Sequence, residues 1–181
     1  MAASYAERAF ELLDGQEEIL RWLVWTGPRS LEELREFYRH WHLPSEEGDS
    51  YRFAIVERGS EALVGAVDLS HLGHPGTGDI GYWIGQPYQG RGFMVEAAAL
   101  TIWFAFQHLE TSSLAAWAFV GNTGSRKVLE RNGFRLVRTA LGRRYDERVV
   151  DEWSFALTRA EWLRSRGPQP DLEDVRFLSP D

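Results

Sequence analysis

The chain has 181 residues, 44% of them hydrophobic, which is enough for one domain with a substantial core. Its formal net charge of -7 argues against non-specific binding to nucleic-acid backbones and is compatible with a cationic ligand. The absence of cysteine excludes a disulfide framework, a thiolate metal site and a covalent cysteine intermediate. We expect a cytoplasmic protein without a membrane segment, because Ala97 to Phe106, the longest nearly uncharged stretch, is too short to span a bilayer.

The N-terminal part is predicted to be helical. Apolar residues at mostly helical spacing over residues 4–26 indicate one broken helix or two short helices, interrupted at Gly15. Ser30 followed by Glu33 is typical of a capped helix start, and we expect that second helix to run to about Trp41. Some tryptophans of this region are candidates for the wall of a ligand pocket, with plain core packing as the alternative: Trp22, Trp25 and Trp41.

Three strands are predicted after a polar loop at residues 44–50. Residues 51–57 and 61–69 alternate apolar and polar positions around a hairpin signal at residues 58–60. A glycine-rich loop over residues 70–78 leads into a third strand over residues 79–85.

A glycine-rich turn between this strand and a predicted helix is the most informative stretch of the chain. It lies within YWIGQPYQGRGFMVEAAALTIWFAFQHL, residues 82–109, and the helix is predicted to begin near Phe93. A helix start leaves about four backbone N–H groups without intrahelical partners and carries about half a positive charge, which suits a diphosphate. A nucleoside triphosphate loop is excluded because Arg91 and Gly92 stand where Lys and then Ser or Thr are needed. A dinucleotide fingerprint is excluded because Val95 replaces its third glycine.

The segment Gln89-Gly90-Arg91-Gly92-Phe93-Met94 resembles the Q-x-x-G-x-(G/A) pyrophosphate loop of the GNAT acetyltransferase superfamily. Met94 stands at the last position of this motif, where most members have a small residue. In this respect the loop resembles one branch, the ribosomal-protein N-terminal acetyltransferases (RimJ/RimL-type) and their relatives. The resemblance implies acetyl-CoA as cosubstrate. It also implies an α+β fold with a mixed, twisted central sheet flanked by helices, the GNAT acyl-CoA N-acyltransferase fold.

A second motif follows the central helix. Residues 114–120 indicate a buried strand, and Asn122 is a good N-cap for a helix that ends at Gly133. This stretch resembles the N-x-x-(S/A)…G-F element of the superfamily, in which the asparagine contacts the pantetheine arm of CoA. The resemblance covers about residues 19–159. It departs from the family at the start, because nothing before Tyr5 supplies the usual first strand.

The C-terminal part is predicted to hold two strands, a helix and a tail. The strands span residues 134–138 and 149–157, and Thr158 with Glu161 predicts a capped helix to Arg166. We therefore expect one acetyltransferase domain over residues 1–166 and a Pro- and acid-rich tail over residues 167–181. Within the tail, residues 175–178 are a candidate strand for a sheet edge or a partner subunit.

Roles at the reacting end come from the resemblance. Backbone N–H groups near Trp83 and Ile84 would polarise the thioester carbonyl. The usual tyrosine proton donor is absent, because Leu129 holds its position. In the ribosomal-protein branch a serine of this helix is implicated at the thiol end of CoA instead, and Ser125 stands at that position. A plain hydrogen bond in the first helical turn is the alternative for Ser125.

The resemblance does not assign a general base in this chain, because Arg144 stands where the ribosomal-protein branch has a glutamate. Asp79 is the candidate base, with a solvated strand end as the alternative. His71 and His74 near acidic residues suggest a metal site only weakly, and we expect no metal. Arg91 and Lys127 are candidates for the CoA phosphates or are simply solvated. The residues predicted to bind CoA are Trp83, Ile84, Gln89, Gly90, Arg91, Gly92, Phe93, Met94, Asn122, Ser125 and Lys127.

The sequence therefore predicts an N-acetyltransferase that moves acetyl directly to a primary amine, with a protein N-terminus as the favoured acceptor. A small amine, such as a polyamine or an aminoglycoside, is an open alternative. A CoA-binding module without turnover is the rival from another class, because both the tyrosine donor and the branch's glutamate are missing. The expected partner is the amine acceptor, with no nucleic acid and no membrane, and a homodimer stays open beside a monomer.

Overall fold

The computed structural model describes residues 5–40, 50–72, 76–145 and 147–165. The predictions for the loop over residues 44–49, for Trp41, for His74 and for the tail over residues 167–181 lie outside these ranges.

Six strands form one mixed sheet in the order β1-β2-β3-β4-β6-β5. Neighbouring strands run antiparallel except for β3 and β4, which are parallel. With helices on both faces, this sheet confirms the predicted α+β class. The strands are β1 Tyr51–Glu57, β2 Ala62–Ser70, β3 Thr77–Ile84, β4 Ser113–Phe119, β5 Arg135–Tyr145 and β6 Arg148–Thr158.

The helices divide between the two faces of the sheet. The helices are α1 Ala6–Leu13, α2 Glu17–Leu20, α3 Leu31–His40, α4 Phe93–Gln107, α5 Thr123–Arg131 and α6 Arg159–Ser165. Helices α1 and α3 pack with Ala66 of β2, whereas the larger core cluster on the other side joins α4 to Val67 of β2. Because neighbouring strand residues point to opposite faces, α1 and α3 cover one face and α4 covers the other.

The predicted break in the N-terminal helix and the predicted cap of α3 are confirmed, whereas α2 ends at Leu20 and not near residue 26 as the apolar spacing predicted. The break between α1 and α2 falls at Gly15, which has a left-handed φ of 65°. Ser30 Oγ accepts a hydrogen bond from the Glu33 N–H at 3.1 Å, which is the predicted cap of α3. The described residues hold no strand ahead of α1, so the sheet begins at the edge strand β1 in this part of the chain.

Strand β5 is longer than predicted. The sequence pattern predicted residues 134–138, whereas the strand runs from Arg135 to Tyr145. Most of its side chains are exposed, and its pairing with β6 shifts register after Leu136 and again after Ala140. These irregularities remove the two-residue alternation by which a strand is recognised, so only the pairing with β6 reveals its full length.

The start of α6 is stabilised by a charged cap. Glu161 accepts hydrogen bonds from Thr158 Oγ1 at 2.7 Å and from the Thr158 N–H at 2.9 Å. These two bonds, together with the nearby Arg135, lower the pKa of Glu161 from its ordinary 4.5 to about 2. A carboxylate with a depressed pKa stabilises the fold fully above its unfolded-state pKa, and that contribution is lost as the pH falls through the folded value.

We predict that Glu161→Gln lowers the melting temperature by a few degrees at neutral pH, because the amide is a weaker acceptor and carries no charge opposite Arg135. The difference from the parent should shrink between about pH 4.5 and about pH 2, as the parent's carboxyl is protonated. Thermal melts across that range measure it. Glu130→Gln, which removes an exposed partner of Arg126, is the control and should have the smaller effect. A difference that widens toward low pH would contradict this account.

Candidate active site

The strands β3 and β4 diverge soon after they meet. They pair only at Thr77–Ser113, Gly78–Leu114 and Asp79–Ala115, whereas β3 continues to Ile84. This leaves a gap between them beyond the Asp79–Ala115 pair, beside the backbone of Trp83 and Ile84 that the family resemblance assigns to the thioester carbonyl.

One of the two predicted carbonyl-polarising amides faces this gap. The Gly85 N–H donates to Val64 O of β2 at 2.8 Å. The hydrogen-bonding direction alternates along a strand, so the Trp83 N–H also points toward β2, and the Ile84 N–H points the other way, into the gap. The Trp83 side chain packs against the cluster of α1 and α3. Of the pair, Ile84 is therefore the residue whose amide is placed to meet a carbonyl in the gap.

A cleft of about 310 Å³ opens at the gap. It brings together residues from β2, β3, β4, α5 and the segment after α2. That segment carries Trp22, one of the predicted pocket tryptophans, and Arg148 of β6 holds it by donating to Leu23 O at 2.5 Å and to Val24 O at 2.8 Å. The polar lining residues are Asp68, Ser70, His71, Asp79, Tyr82, Asn122 and Ser125.

Ser125 lies at the wall formed by α5. Asn122 caps this helix as predicted, because its Oδ1 accepts from the Ser125 N–H at 3.0 Å. The Ser125 Oγ lies 3.0 Å from the hydroxyl of Tyr82, which also donates to Ser125 O at 3.3 Å. Burial raises the pKa of Tyr82 to about 12, with a smaller opposing effect from the bond to Ser125. The phenol is therefore protonated at neutral pH.

Two carboxylates lie at the other wall. Asp79 Oδ2 contacts His71 Nδ1 at 2.9 Å, in a half-exposed position at the last β3–β4 pair. Asp68 of β2 lies against Gly81, where an added Cβ would approach its Oδ1 to 2.9 Å. Burial raises the pKa of Asp68, as does the charge of Asp79, while Arg52 and His71 act in the opposite direction. This wall of the cleft is therefore acidic.

Three side chains support the β4 side of the cleft: Trp117, Tyr145 and Glu152. The ring of Tyr145 stacks on Trp117, a lining residue, with centroids 5.7 Å apart. The Tyr145 hydroxyl donates to Glu152, which is buried in β6 although it alternates with apolar residues of that strand. Tyr145 therefore covers Glu152 and holds the Trp117 ring in place.

The predicted diphosphate loop, residues 89–94, has the geometry expected of it. Gly90 and Gly92 have left-handed φ values of 74° and 93°, and a Cβ added at either position would meet nothing within 4 Å. The Glu96 N–H donates to Gly92 O, so the N–H groups before it have no partner within α4. Open space and aligned N–H groups at a helix start fit a diphosphate.

The side chains of the diphosphate loop point in different directions. Arg91 forms an ion pair with Glu57 at 2.9 Å and lies over the ring of Phe93. Met94 is buried in the core, and Gln89 Nε2 donates to Ile84 O at 3.4 Å. Lys127, also predicted to meet the phosphates, is exposed on α5. The backbone N–H groups of the loop are therefore open to an anion, whereas the Arg91 side chain already has a protein partner, Glu57.

Sequence reasoning missed two polar residues of the cleft. Tyr82 was counted only as a strand residue, although a tyrosine two residues before Ile84 points to the same face as that residue. Asp68 is one of the acidic residues near His71 and His74, for which the sequence suggests only the weak possibility of a metal site. Its position in the strand before the glycine-rich loop was a usable signal, but the contact with Gly81 depends on the register of β2 and β3.

The ranges that the structure describes contain neither a metal-binding cluster nor a membrane-spanning helix. Within those ranges, no group of three or more His, Asp or Glu side chains is arranged to hold a metal ion. No helix within them combines the length and the apolar character needed to cross a membrane.

The chain matches a known protein family and a named relative. The acetyltransferase (GNAT) domain family matches residues 1–135. A Bacillus subtilis (strain 168) protein named "Putative ribosomal N-acetyltransferase YdaF" is 33% identical over 133 residues, which are 71% of this chain and 72% of the relative.

Solved structures share the fold. RimJ of Mycobacterium smegmatis, in complex with CoA-disulfide, has a TM-score of 0.79 and 20% identity, over 94% of this chain and 82% of that one. Spermidine N-acetyltransferase from Vibrio cholerae, in complex with CoA and spermine, has a TM-score of 0.76 and 18% identity, over 90% of this chain and 95% of that one. The family match and the conserved architecture together show that the chain belongs to the GNAT acetyltransferase family and is an acetyl-CoA-dependent N-acetyltransferase.

Proposed function

We propose that the protein transfers acetyl from acetyl-CoA directly to a primary amine, and that the preferred acceptor is the α-amine of a protein N-terminus. The observation that carries the proposal is a single cleft at the β3–β4 gap with Asp79 on one wall and Ser125 on the other. The relative named for ribosomal N-acetylation supports an acceptor of this class. A ribosomal acceptor also agrees with the cytoplasmic location predicted from the sequence.

The donor substrate would bind across the diphosphate loop and the gap. The backbone N–H groups of residues 90–94 meet its diphosphate, and Arg91 exchanges Glu57 for a phosphate oxygen. The exposed Lys127 supplies a further positive charge near α5. The pantetheine arm runs along the free edge of β3, where Asn122 lines the cleft. Bound in this way, acetyl-CoA supplies an activated thioester at the reacting end.

The acceptor would enter beside the two carboxylates. Asp68 and Asp79 attract a cationic amine. Trp22 adds an aromatic wall, although Arg21 already lies over its ring with Cζ 4.8 Å from the centroid. An α-amine with a pKa near 7.7–8.0 costs about 1 kcal/mol to deprotonate at pH 7, whereas an amine with a pKa near 10.4 costs about 4.6 kcal/mol. Any carboxylate is a much weaker base than either amine, so this site favours the α-amine, whose deprotonation costs less.

The transfer requires one bond to form and one to break. Asp79 accepts a proton from the acceptor nitrogen as that nitrogen bonds to the acetyl carbonyl carbon, while the Ile84 N–H donates to the carbonyl oxygen. The carbon–sulfur bond then breaks with its electron pair on sulfur, and the Ser125 hydroxyl donates a hydrogen bond to the thiolate. The proton held by Asp79 reaches the sulfur through water, so the products are the N-acetyl amine and CoA.

A small polyamine is the second candidate acceptor. Two carboxylates in one cleft suit a ligand with more than one ammonium group, and the spermidine N-acetyltransferase shares the fold. Its 18% identity supports no more than the fold.

Acetyl transfer can be tested by measuring CoA release from acetyl-CoA with a panel of acceptors. The panel contains peptides with a free N-terminus, the same peptides with an acetylated N-terminus, spermidine and an aminoglycoside. We expect release with the free peptides and none with the acetylated ones. Preference for spermidine would support the second candidate, and CoA binding without release on any amine would contradict the proposed function.

The diphosphate loop yields a prediction about affinity. Gly90→Val and Gly92→Val should each raise the Kd for CoA about tenfold or more, because a side chain at a positive φ displaces N–H groups that meet the diphosphate. Titration calorimetry with CoA measures this. Gly142→Val is the matched control, because Gly142 has a φ of 63° and an open environment on the β5–β6 ribbon. An unchanged Kd in both loop variants would contradict the assigned site.

The base assignment yields a prediction about rate. Asp79→Asn should lower kcat/KM for the amine by about 10²–10⁴-fold with little change in the Kd for CoA, because a general base contributes about that much. Steady-state kinetics at several pH values measure it. Asp151→Asn is the control, because Asp151 is exposed on β6 and asparagine keeps the acceptor for Gly142 N–H. A large loss with Asp68→Asn and none with Asp79→Asn would move the base to Asp68.

A further inference from the structure

Tyr82 and Ser125 form a contact that links two elements across the cleft. Tyr82 lies on β3 and Ser125 on α5, 43 residues apart in the chain, with their hydroxyl oxygens 3.0 Å apart. Both residues line the cleft at the β3–β4 gap. The backbone of Ser125 is already held by the cap from Asn122 at 3.0 Å. The contact with Tyr82 therefore acts on the one part of Ser125 that the helix cap leaves free to rotate, its hydroxyl.

The hydrogens of the two hydroxyls can be arranged in two ways. If Tyr82 donates to Ser125 O, the serine hydroxyl can donate back to the tyrosine oxygen and turns away from the cleft. If Tyr82 donates to Ser125 Oγ, the serine hydrogen is free to reach a third atom. In the second arrangement the two hydroxyls form a chain, and each hydrogen bond polarises the next.

We propose that Tyr82 is a positioning residue for acetyl transfer: its hydroxyl donates to Ser125 Oγ and so aims the Ser125 hydroxyl at the sulfur that leaves. This inference rests on the proposed function and adds a residue to it. No residue of α5 has to supply the missing tyrosine, because the phenol reaches the thiol end from β3 instead.

The pair stabilises the thiolate and does not protonate it outright. The pKa of Tyr82 is about 12, whereas an ordinary thiol has a pKa of about 8.5. Full proton transfer from the phenol to the thiolate is therefore unfavourable by a factor of about 3,000. Two aligned hydrogen bonds lower the energy of the sulfur anion as the carbon–sulfur bond breaks, and the sulfur then takes the proton that the acceptor amine released.

The test is a double-mutant cycle of Tyr82→Phe and Ser125→Ala, with CoA release from acetyl-CoA and an active peptide acceptor as the assay. Phenylalanine keeps the ring and removes only the hydroxyl. We expect Tyr82→Phe to lower kcat about tenfold or more, with the KM for both substrates and the Kd for CoA within about twofold of the parent. Because Tyr82 acts through Ser125, the double variant should be no slower than Ser125→Ala alone.

Tyr38→Phe is the matched control, since it removes a hydroxyl from another buried tyrosine, in the cluster of α1 and α3. Its kcat should equal that of the parent. A kcat of Tyr82→Phe within about twofold of the parent, or losses that multiply in the double variant, would overturn the inference. If Tyr82→Phe does not fold, the Ser125→Ala variant tests the inference. A kcat of Ser125→Ala equal to that of the parent would overturn it, because Tyr82 is proposed to act through the Ser125 hydroxyl. If the parent is active and the variants give the overturning results, only this inference fails. If the parent is inactive, the proposed function fails and this inference fails with it.

Discussion

The divergence of β3 and β4 is the constraint on which the rest of the structure depends. Each of the two strands is held along its length from its outer side, β3 by β2 from Ser70–Asp79 to Gly65–Ile84, and β4 by β6 from Ser113–Thr158 to Phe119–Glu152. The sheet therefore loses only the inner hydrogen bonds beyond Asp79–Ala115 when the strands separate. The backbone groups left at that edge need water or a ligand as partners, which supports the proposal that the pantetheine arm lies along the gap.

The alternation of side chains along β3 divides the gap into two sides. Asp79 pairs with Ser70, and Gly81 pairs with Asp68, on the face that α1 and α3 cover. Tyr82 points to the opposite face, where it meets Ser125 of α5. One strand thus separates an acidic wall, suited to an amine, from a hydroxyl wall, suited to a sulfur anion. This division supports the proposal that the two substrates approach from opposite faces of the sheet.

The ion pair beside the diphosphate loop, Arg91–Glu57, is weak enough for Arg91 to leave Glu57 for a bound anion. The Arg91–Glu57 pair is partly exposed, and such pairs contribute about 0–1 kcal/mol. A diphosphate bound at the start of α4 would offer Arg91 a partner with two negative charges, in addition to its contacts with the backbone N–H groups. Moving Arg91 from Glu57 to a ligand therefore costs little. Asp68 and Asp79, which line the cleft, are among the acidic residues behind the net charge of -7.

The sequence by itself determined the features that rest on local backbone geometry. Gly90 and Gly92 adopt positive φ, Asn122 caps the helix that carries Ser125, and Thr158 caps α6, because each depends on residues a few positions apart. Only the tertiary structure decided which groups face each other in the cleft. The contact of Tyr82 with Ser125 and the segment that Arg148 holds over the opening join residues far apart in the chain. Such contacts depend on strand register and on where the strands part, and neither is encoded in a short pattern of residues.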